Sequence, residues 1–373
     1  MTQLAPAAVG MAIDEIDTPA LVVDLAAYER NLARMAERLA GTDVRLRPHA
    51  KTHKSPIIGL DQVAHGAIGV CCQKVGEAEV MVEGGVRDVM VSNQVVGSRK
   101  IARLAALARH ARVSVCVDDA GNVADLGAAA EAFGSAIDVL VEIEVGMGRC
   151  GVPAGEPAVR LAKVVDATEG LGFAGLQAYH GSAQHIRGHG DRRAAVESAA
   201  ALTRETVGLL AAAGLDCAVK AGGGTGSLEF DLEAGVLNEL QAGSYVFMDA
   251  DYGRNLDAGG APWQPFENSL FVRATVISAP TPTRRVTDAG LKALAFDSGL
   301  PLVHGLDGVA YQGPSDEHGT LALADGATLS LGEAVMLIPG HCDPTVNLYD
   351  WYVGVRGDVV ERVWPVAARG RLA

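Results

Sequence analysis

The run Val44-Arg45-Leu46-Arg47-Pro48-His49-Ala50-Lys51-Thr52-His53-Lys54 puts a lysine where a short strand should end. Val44 and Leu46 alternate with polar residues, and Pro48 limits further pairing. A lysine at the C-terminal end of a parallel-barrel strand suits Schiff-base chemistry, because active sites of such barrels lie on that face. Read alone, the run is an ordinary basic turn; three further blocks give it weight. Gly222-Gly223-Gly224-Thr225-Gly226-Ser227 lets backbone N–H groups crowd around a phosphate, with Thr and Ser hydroxyls as added donors. Gln241-Ala242-Gly243-Ser244 follows one unit later and would complete the cradle. In His341-Cys342-Asp343, a strand conformation would point His341 and Asp343 to one face, where they could grip one cation. An imidazole with a carboxylate suits Mn²⁺, Co²⁺ or similar ions, and two protein ligands leave positions for water and substrate.

Apolar strands alternating with amphipathic helices must position these blocks. Ala20–Leu25 reads as a strand before a helix over 26–39, and Gly66–Cys72 as a strand before a helix over 74–83. Asp88–Val91, Val113–Val117, Ile137–Val145, Phe173–Tyr179, Ala218–Ala221 and Glu239–Ala242 continue the series. Helices are expected over 98–110, 120–133, 157–168 and 193–213. Such alternation predicts a parallel sheet, and about eight units predict a closed (β/α)8 TIM-like barrel. No G-x-G-x-x-G follows the first strand, so nothing favours a dinucleotide fold.

Helical periodicity largely stops after Asp257-Ala258-Gly259-Gly260-Ala261-Pro262. Leu270–Ile277, Arg285–Asp288, Leu331–Ile338 and Trp351–Val355 read as short strands between Gly, Pro and Asp turns. The expected division is a barrel over 17–256 and a mostly antiparallel β-domain over 262–373, with residues 1–16 packing against the latter.

Composition bounds the partners. A formal charge of −14 over 373 residues argues against nucleic acid and anionic membranes, which want a basic face. No apolar run approaches a membrane span, and Met1–Met11 lacks the basic and apolar regions of a secretion signal. The six cysteines form no CxxC pair and look like reduced cytosolic thiols, so a cytoplasmic protein is expected.

Eight blocks in order resemble the D-threonine aldolases and their relatives the 3-hydroxy-D-aspartate aldolases. They are Arg47-Pro-His-Ala-Lys51, Val70-Cys-Cys-Gln-Lys74, Gly148-Arg-Cys-Gly151, Gln177-Ala-Tyr-His-Gly181, Gly222-Gly-Gly-Thr-Gly-Ser227, Asp288-Ala-Gly-Leu-Lys292, Asp316-Glu-His-Gly319 and His341-Cys-Asp-Pro344. The resemblance spans nearly the whole chain and implies an alanine-racemase-like pyridoxal phosphate (PLP) enzyme with an α/β barrel and a C-terminal β-domain. It implies that Lys51 carries PLP, that Thr225, Gly226, Gly243, Ser244 and Tyr252 hold its phosphate end, and that Gln73 lies near the ring. Arg149 and Tyr179 would face the phenolic oxygen and the pyridine nitrogen. His341 and Asp343 would hold a divalent cation, Mn²⁺ first, with Co²⁺, Mg²⁺ or Ni²⁺ as alternatives. The base is His185 or a metal hydroxide, with His318 a further candidate.

The reaction so implied cleaves a D-3-hydroxy amino acid to glycine and an aldehyde. Related D-serine dehydratases place a cysteine where this chain has Asp343, which favours carbon–carbon cleavage. Tyr179-His180-Gly181-Ser182 looks like the threonine enzymes, whereas Asp350–Arg356 looks like the hydroxyaspartate enzymes. D-Threonine is the expected substrate and 3-hydroxy-D-aspartate the alternative, whose extra carboxylate would need a cation among Arg187, Arg192 or Arg254. A dehydratase, a racemase and a non-catalytic PLP carrier are the other readings; neither racemization nor carrier binding should depend on metal. A homodimer is implied by resemblance only.

Overall fold

Val89, Val91, Val113, Val115, Val117, Val139 and Val141 are all buried in one layer, while Met90, Cys116 and Leu140 between them pack into a separate small cluster with Cys71 and Ala221. Alternate residues of each strand thus serve two cores, one under the helices and one inside a barrel. The computed structural model, which describes residues 4–373, shows that barrel. Its parallel strands run in the order Arg45–Leu46, Glu239–Leu240, Val219–Gly222, Leu171–Ala178, Ile137–Glu144, Arg112–Val117, Asp88–Gln94, Val70–Cys72. Bonds from Ile68 N–H to the Leu46 carbonyl and from Cys71 N–H to the Pro48 carbonyl, both 2.9 Å, close the ring. The expected (β/α)8 barrel is therefore the observed one.

A second, mostly antiparallel sheet is built on Leu270–Thr281, which pairs with Arg284–Thr287 and Ala334–Ile338, and on Trp351–Arg356 with Val359–Pro365. The strand Ala20–Asp24 joins it, antiparallel to Leu270–Thr281 and parallel to Trp351–Arg356. This corrects its placement as the first unit of the barrel series, and with it the start of the barrel region at residue 17. The physical reason is its burial on both faces. Leu21 and Val23 enter the core shared with the barrel end, and Ala20 and Val22 pack with Ile16, Val353 and Val360. Such an unalternating apolar run is also what a barrel strand presents. The Asp24 carboxylate then accepts from Ala26 and Ala27 N–H, starting the helix Leu25–Leu39, which returns to the barrel flank. Residues 10–13 lie along the final strand, with Gly10 N–H on the Val360 carbonyl at 2.9 Å. No helix among the described residues is long and apolar enough to cross a membrane.

Candidate active site

Lys51 follows the strand Arg45–Leu46 in a single 3-10 turn, Ala50–Thr52, that the structure locks from behind. Thr52 and His53 are fully buried, and Tyr352 of the second sheet donates its hydroxyl to the His53 carbonyl at 2.7 Å. The Lys51 side chain itself is 40% exposed and reaches Asp343, Nζ to Oδ2, at 3.3 Å. The other lysine of the run is consumed. Lys54 is buried against Glu77, whose second oxygen accepts from Gln73 N–H at 2.8 Å and Lys74 N–H at 3.1 Å. Arg47 is likewise structural, paired inside the barrel with Glu239 at 2.7 Å and Asp88 at 2.5 Å. Of the basic residues in the run, Lys51 is the one presented at the barrel mouth.

His341 and Asp343 do not lie on a strand. Cys342–Val346 is a short helix with His341 as its N-cap, which corrects the same-face argument from strand periodicity. Buried Asp249 explains the change: its carboxylate accepts from Cys342 N–H at 3.0 Å and Tyr252 N–H at 3.0 Å, tying the helix start to the barrel's last loop. The two side chains still converge electrostatically. Burial alone would raise the Asp343 carboxyl, but Lys51 and His341 hold it well below the usual carboxylate range. Asp343 in turn holds the Lys51 ammonium above the ordinary lysine value, against burial. Burial opposes the charge on His341, and Asp343 with Asp297 and Asp249 more than offsets it. The His341 Nδ1 lies 2.7 Å from Asp297 Oδ2. A proton on Nδ1 leaves Nε2 as the ligating nitrogen, so an imidazole and an ionised carboxylate fit a divalent cation. No cluster of three or more such ligands occurs among the described residues.

The glycine-rich loop after Val219–Gly222 folds onto the turn Ser182–His185. A Cβ on Gly226 would lie 2.3 Å from the Gln184 carbonyl oxygen, so a larger residue would push the two apart. Ser227 is committed inside the loop, donating to Asp231 Oδ2 at 2.6 Å and accepting from Gln184 at 2.7 Å and Gly224 N–H at 3.1 Å. Its hydroxyl is thereby withdrawn from the expected donor set. Thr225 differs: its Oγ1 is buried with no partner among the described residues, which suits a phosphate oxygen. Gly243 brings the next loop against the Lys51 turn, since a Cβ there would lie 2.7 Å from the His49 carbonyl oxygen. Ser244 begins the 3-10 turn Ser244–Val246 that follows. A lysine presented at the barrel mouth together with an unpartnered buried hydroxyl fits PLP.

Tyr179 directly follows the strand Leu171–Ala178, and the Arg149 guanidinium lies over its ring at 5.5 Å. Gln73 Nε2 stands 3.0 Å from His49 Nε2. Burial first, then Lys51, keeps His49 neutral. His185 lies tilted against buried Tyr252, ring centroids 5.3 Å apart, and its Nδ1 lies 2.5 Å from Asp251 Oδ2. Sequence reasoning missed Asp251, Asp249 and Asp297, because each acts on a partner more than 40 positions away in the chain and carries no local motif. His318 sits in the turn after Val309–Pro314, with Ser315 Oγ 3.5 Å from its Nδ1, and no contact joins it to Lys51.

The three arginines considered for a second substrate carboxylate are all engaged by the protein. Arg187 pairs with Asp251 and donates to Asn255 Oδ1 at 2.9 Å. Arg192 is fully buried on the carbonyls of Ile186, Arg187 and Leu256. Arg254 donates to the carbonyls of Ser298 and Leu300.

A closed parallel barrel with a half-exposed lysine at its mouth and a late glycine-rich loop, joined to an antiparallel sheet, is the architecture of the alanine-racemase-like class of PLP enzymes. Residues 23–251 match the family "Alanine racemase, N-terminal domain", and residues 269–355 match "Putative serine dehydratase domain". Within that class the chain belongs to the family of D-threonine aldolases and 3-hydroxy-D-aspartate aldolases, which are lyases. It is 49% identical over 370 residues to a 3-hydroxy-D-aspartate aldolase of Paracoccus denitrificans, covering 98% of this chain and 95% of that one. It is 48% identical to a D-threonine aldolase of Arthrobacter sp, covering 98% and 96%. The crystal structure of a D-threonine aldolase from Filomicrobium marinum superposes with a TM-score of 0.96 at 50% identity, over 99% of this chain and 100% of that one.

Proposed function

We propose that this protein cleaves the Cα–Cβ bond of D-3-hydroxy amino acids, D-threonine foremost, giving glycine and an aldehyde. The contact of Asp343 with Lys51 carries this reading, because it puts a carboxylate able to hold a cation beside the amine that would carry PLP, where the substrate's amine would take its place. PLP supplies an electron sink for a carbanion at Cα, and a divalent cation, Mn²⁺ first, supplies a Lewis acid for the β-hydroxyl. Thr225, Gly226, Gly243, Ser244 and Tyr252 hold the phosphate end, while Gln73, Arg149 and Tyr179 orient the ring. His341 and Asp343 hold the cation.

His185 takes the β-hydroxyl proton in this reading. Asp251 accepts its Nδ1–H, which leaves the lone pair on Nε2 as the base. The engagement of Arg187, Arg192 and Arg254 favours a β-methyl over a β-carboxylate, since a buried substrate carboxylate needs its own cation. 3-Hydroxy-D-aspartate, giving glycine and glyoxylate, is the second reading, supported by the Paracoccus relative. The six free cysteines, five of them buried, support a reducing cytoplasmic setting. A homodimer rests on the family resemblance.

Aldehyde release from D-threonine by PLP-loaded protein, with Mn²⁺ and with a chelator, tests this. Metal-dependent aldehyde is the expected result. Glyoxylate from 3-hydroxy-D-aspartate with no aldehyde from D-threonine would overturn the substrate assignment.

A further inference from the structure

Asp297 lies in the second sheet's connecting loop, 44 positions before His341, yet its Oδ2 meets His341 Nδ1 at 2.7 Å. We propose that Asp297 is a positioning residue that fixes the tautomer and ring angle of His341, so that Nε2 is the nitrogen offered to the cation. This inference rests on the metal role assigned to His341 and Asp343 above. Metal-binding histidines are commonly held this way by a carboxylate on the other ring nitrogen.

The surroundings of Asp297 are built to hold it there. Arg254, from the barrel's last segment, donates to the carbonyls on either side of Gly299, those of Ser298 and Leu300. Gly299 adopts φ +104°, and a Cβ there would lie 2.8 Å from the Arg254 guanidinium. Gly340, immediately before His341, touches the same loop: a Cβ on it would come within 2.2 Å of the Gly299 carbonyl oxygen. Backbone therefore meets backbone where side chains would hold the loops apart. Upstream, Ala295 N–H donates to Thr345 Oγ1 at 3.2 Å, and Tyr349 donates its hydroxyl to the Ala293 carbonyl at 2.8 Å. The segment 293–299 is thus fastened both to the helix bearing Asp343 and to the barrel.

The Asp297 side chain is 53% exposed, so its pairing with His341 contributes little to stability as a surface ion pair. Its effect belongs to the ligand: a freely rotating or Nδ1-ligating imidazole would bind the cation in a different place.

The test is Mn²⁺ binding to the PLP-loaded protein, followed by the electron paramagnetic resonance signal of free Mn²⁺. Wild type, Asp297→Ala, Asp297→Asn and His341→Ala are compared, with bound PLP and melting temperature recorded for each. The expected result is a Mn²⁺ Kd weakened about 10–100-fold in Asp297→Ala and largely restored in Asp297→Asn, which keeps an acceptor oxygen, with PLP content unchanged. Wild-type affinity in Asp297→Ala, alongside lost binding in His341→Ala, would overturn the positioning role alone. Unchanged binding in His341→Ala would overturn the metal reading and this inference with it. Equal loss in both Asp297 variants, accompanied by lost PLP or a lowered melting temperature, would assign Asp297 to the loop's folding instead.

Discussion

Asp343 Oδ2 lies 3.3 Å from Lys51 Nζ, so one carboxylate is both the counter-ion of the Lys51 amine and half of the candidate cation site. Any cation bound there would sit within reach of a substrate whose amine takes the place of Lys51 on PLP. Asp343→Asn should therefore lose aldehyde release by about 10²–10³-fold, the kinetic equivalent of several kcal/mol, while PLP remains bound and borohydride-reducible. A chelator should impose the same loss on wild type and add little to the variant. Full chelator sensitivity remaining in an active Asp343→Asn enzyme would place the cation elsewhere.

The His185–Asp251 pair makes a separate prediction. His185→Gln should lower kcat by about 10²–10⁴-fold, the usual contribution of a general base, with little change in PLP binding. Asp251→Asn should fall between that variant and wild type, because an amide holds the ring less firmly than a carboxylate. Steady-state kinetics across pH check this, and undiminished kcat in His185→Gln would transfer the base role to another group.

Thr225 offers a test of the cofactor cradle by itself. Its buried hydroxyl has no partner among the described residues, so Thr225→Val should leave the cofactor-free fold unharmed. A hydrogen bond to a charged oxygen is worth about 1.5–3 kcal/mol, so PLP affinity should fall roughly 10–100-fold. Absorbance titration of the cofactor-free protein with PLP measures it, and an unchanged Kd would remove Thr225 from the cradle.

Asp231, behind the glycine loop, links the cradle to pH. Burial pushes its carboxyl up to about 7, against the hydrogen bond from Ser227. Between about pH 4 and 7 the folded protein keeps a proton that the unfolded chain has lost, so this group favours folding less as pH rises. Relative to Asp231→Asn, wild type should lose up to about 1.4 kcal/mol per pH unit across that window. Urea denaturation of both proteins at several pH values reads the difference; parallel curves would show Asp231 ionised throughout.

Much of the barrel is legible in the chain because parallel strands buried on both faces carry runs rich in Val, Ile and Leu, interrupted by only a few polar residues. Val113–Val117 and Ile137–Val145 were readable for that reason, and the observed strands Arg112–Val117 and Ile137–Glu144 overlap them closely. The same property misplaced Ala20–Asp24, which is equally apolar but belongs to the other sheet. The helix Cys342–Val346 was also hidden, because its start is held by Asp249, 93 positions away.

Residue type and order by themselves determined the chemistry on offer: a lysine after a short strand, a glycine-rich donor loop, and a histidine two positions from an aspartate. These are local properties, set by covalent structure and short-range periodicity. Tertiary structure alone decided which lysine of the run is presented, by burying Lys54 on Glu77 and leaving Lys51 to Asp343. It also decided that Arg187, Arg192 and Arg254 serve the protein, and that Asp251 and Asp297 stand behind the two histidines. Those pairings join groups dozens of residues apart, and their strength depends on burial and distance, which only the folded chain sets.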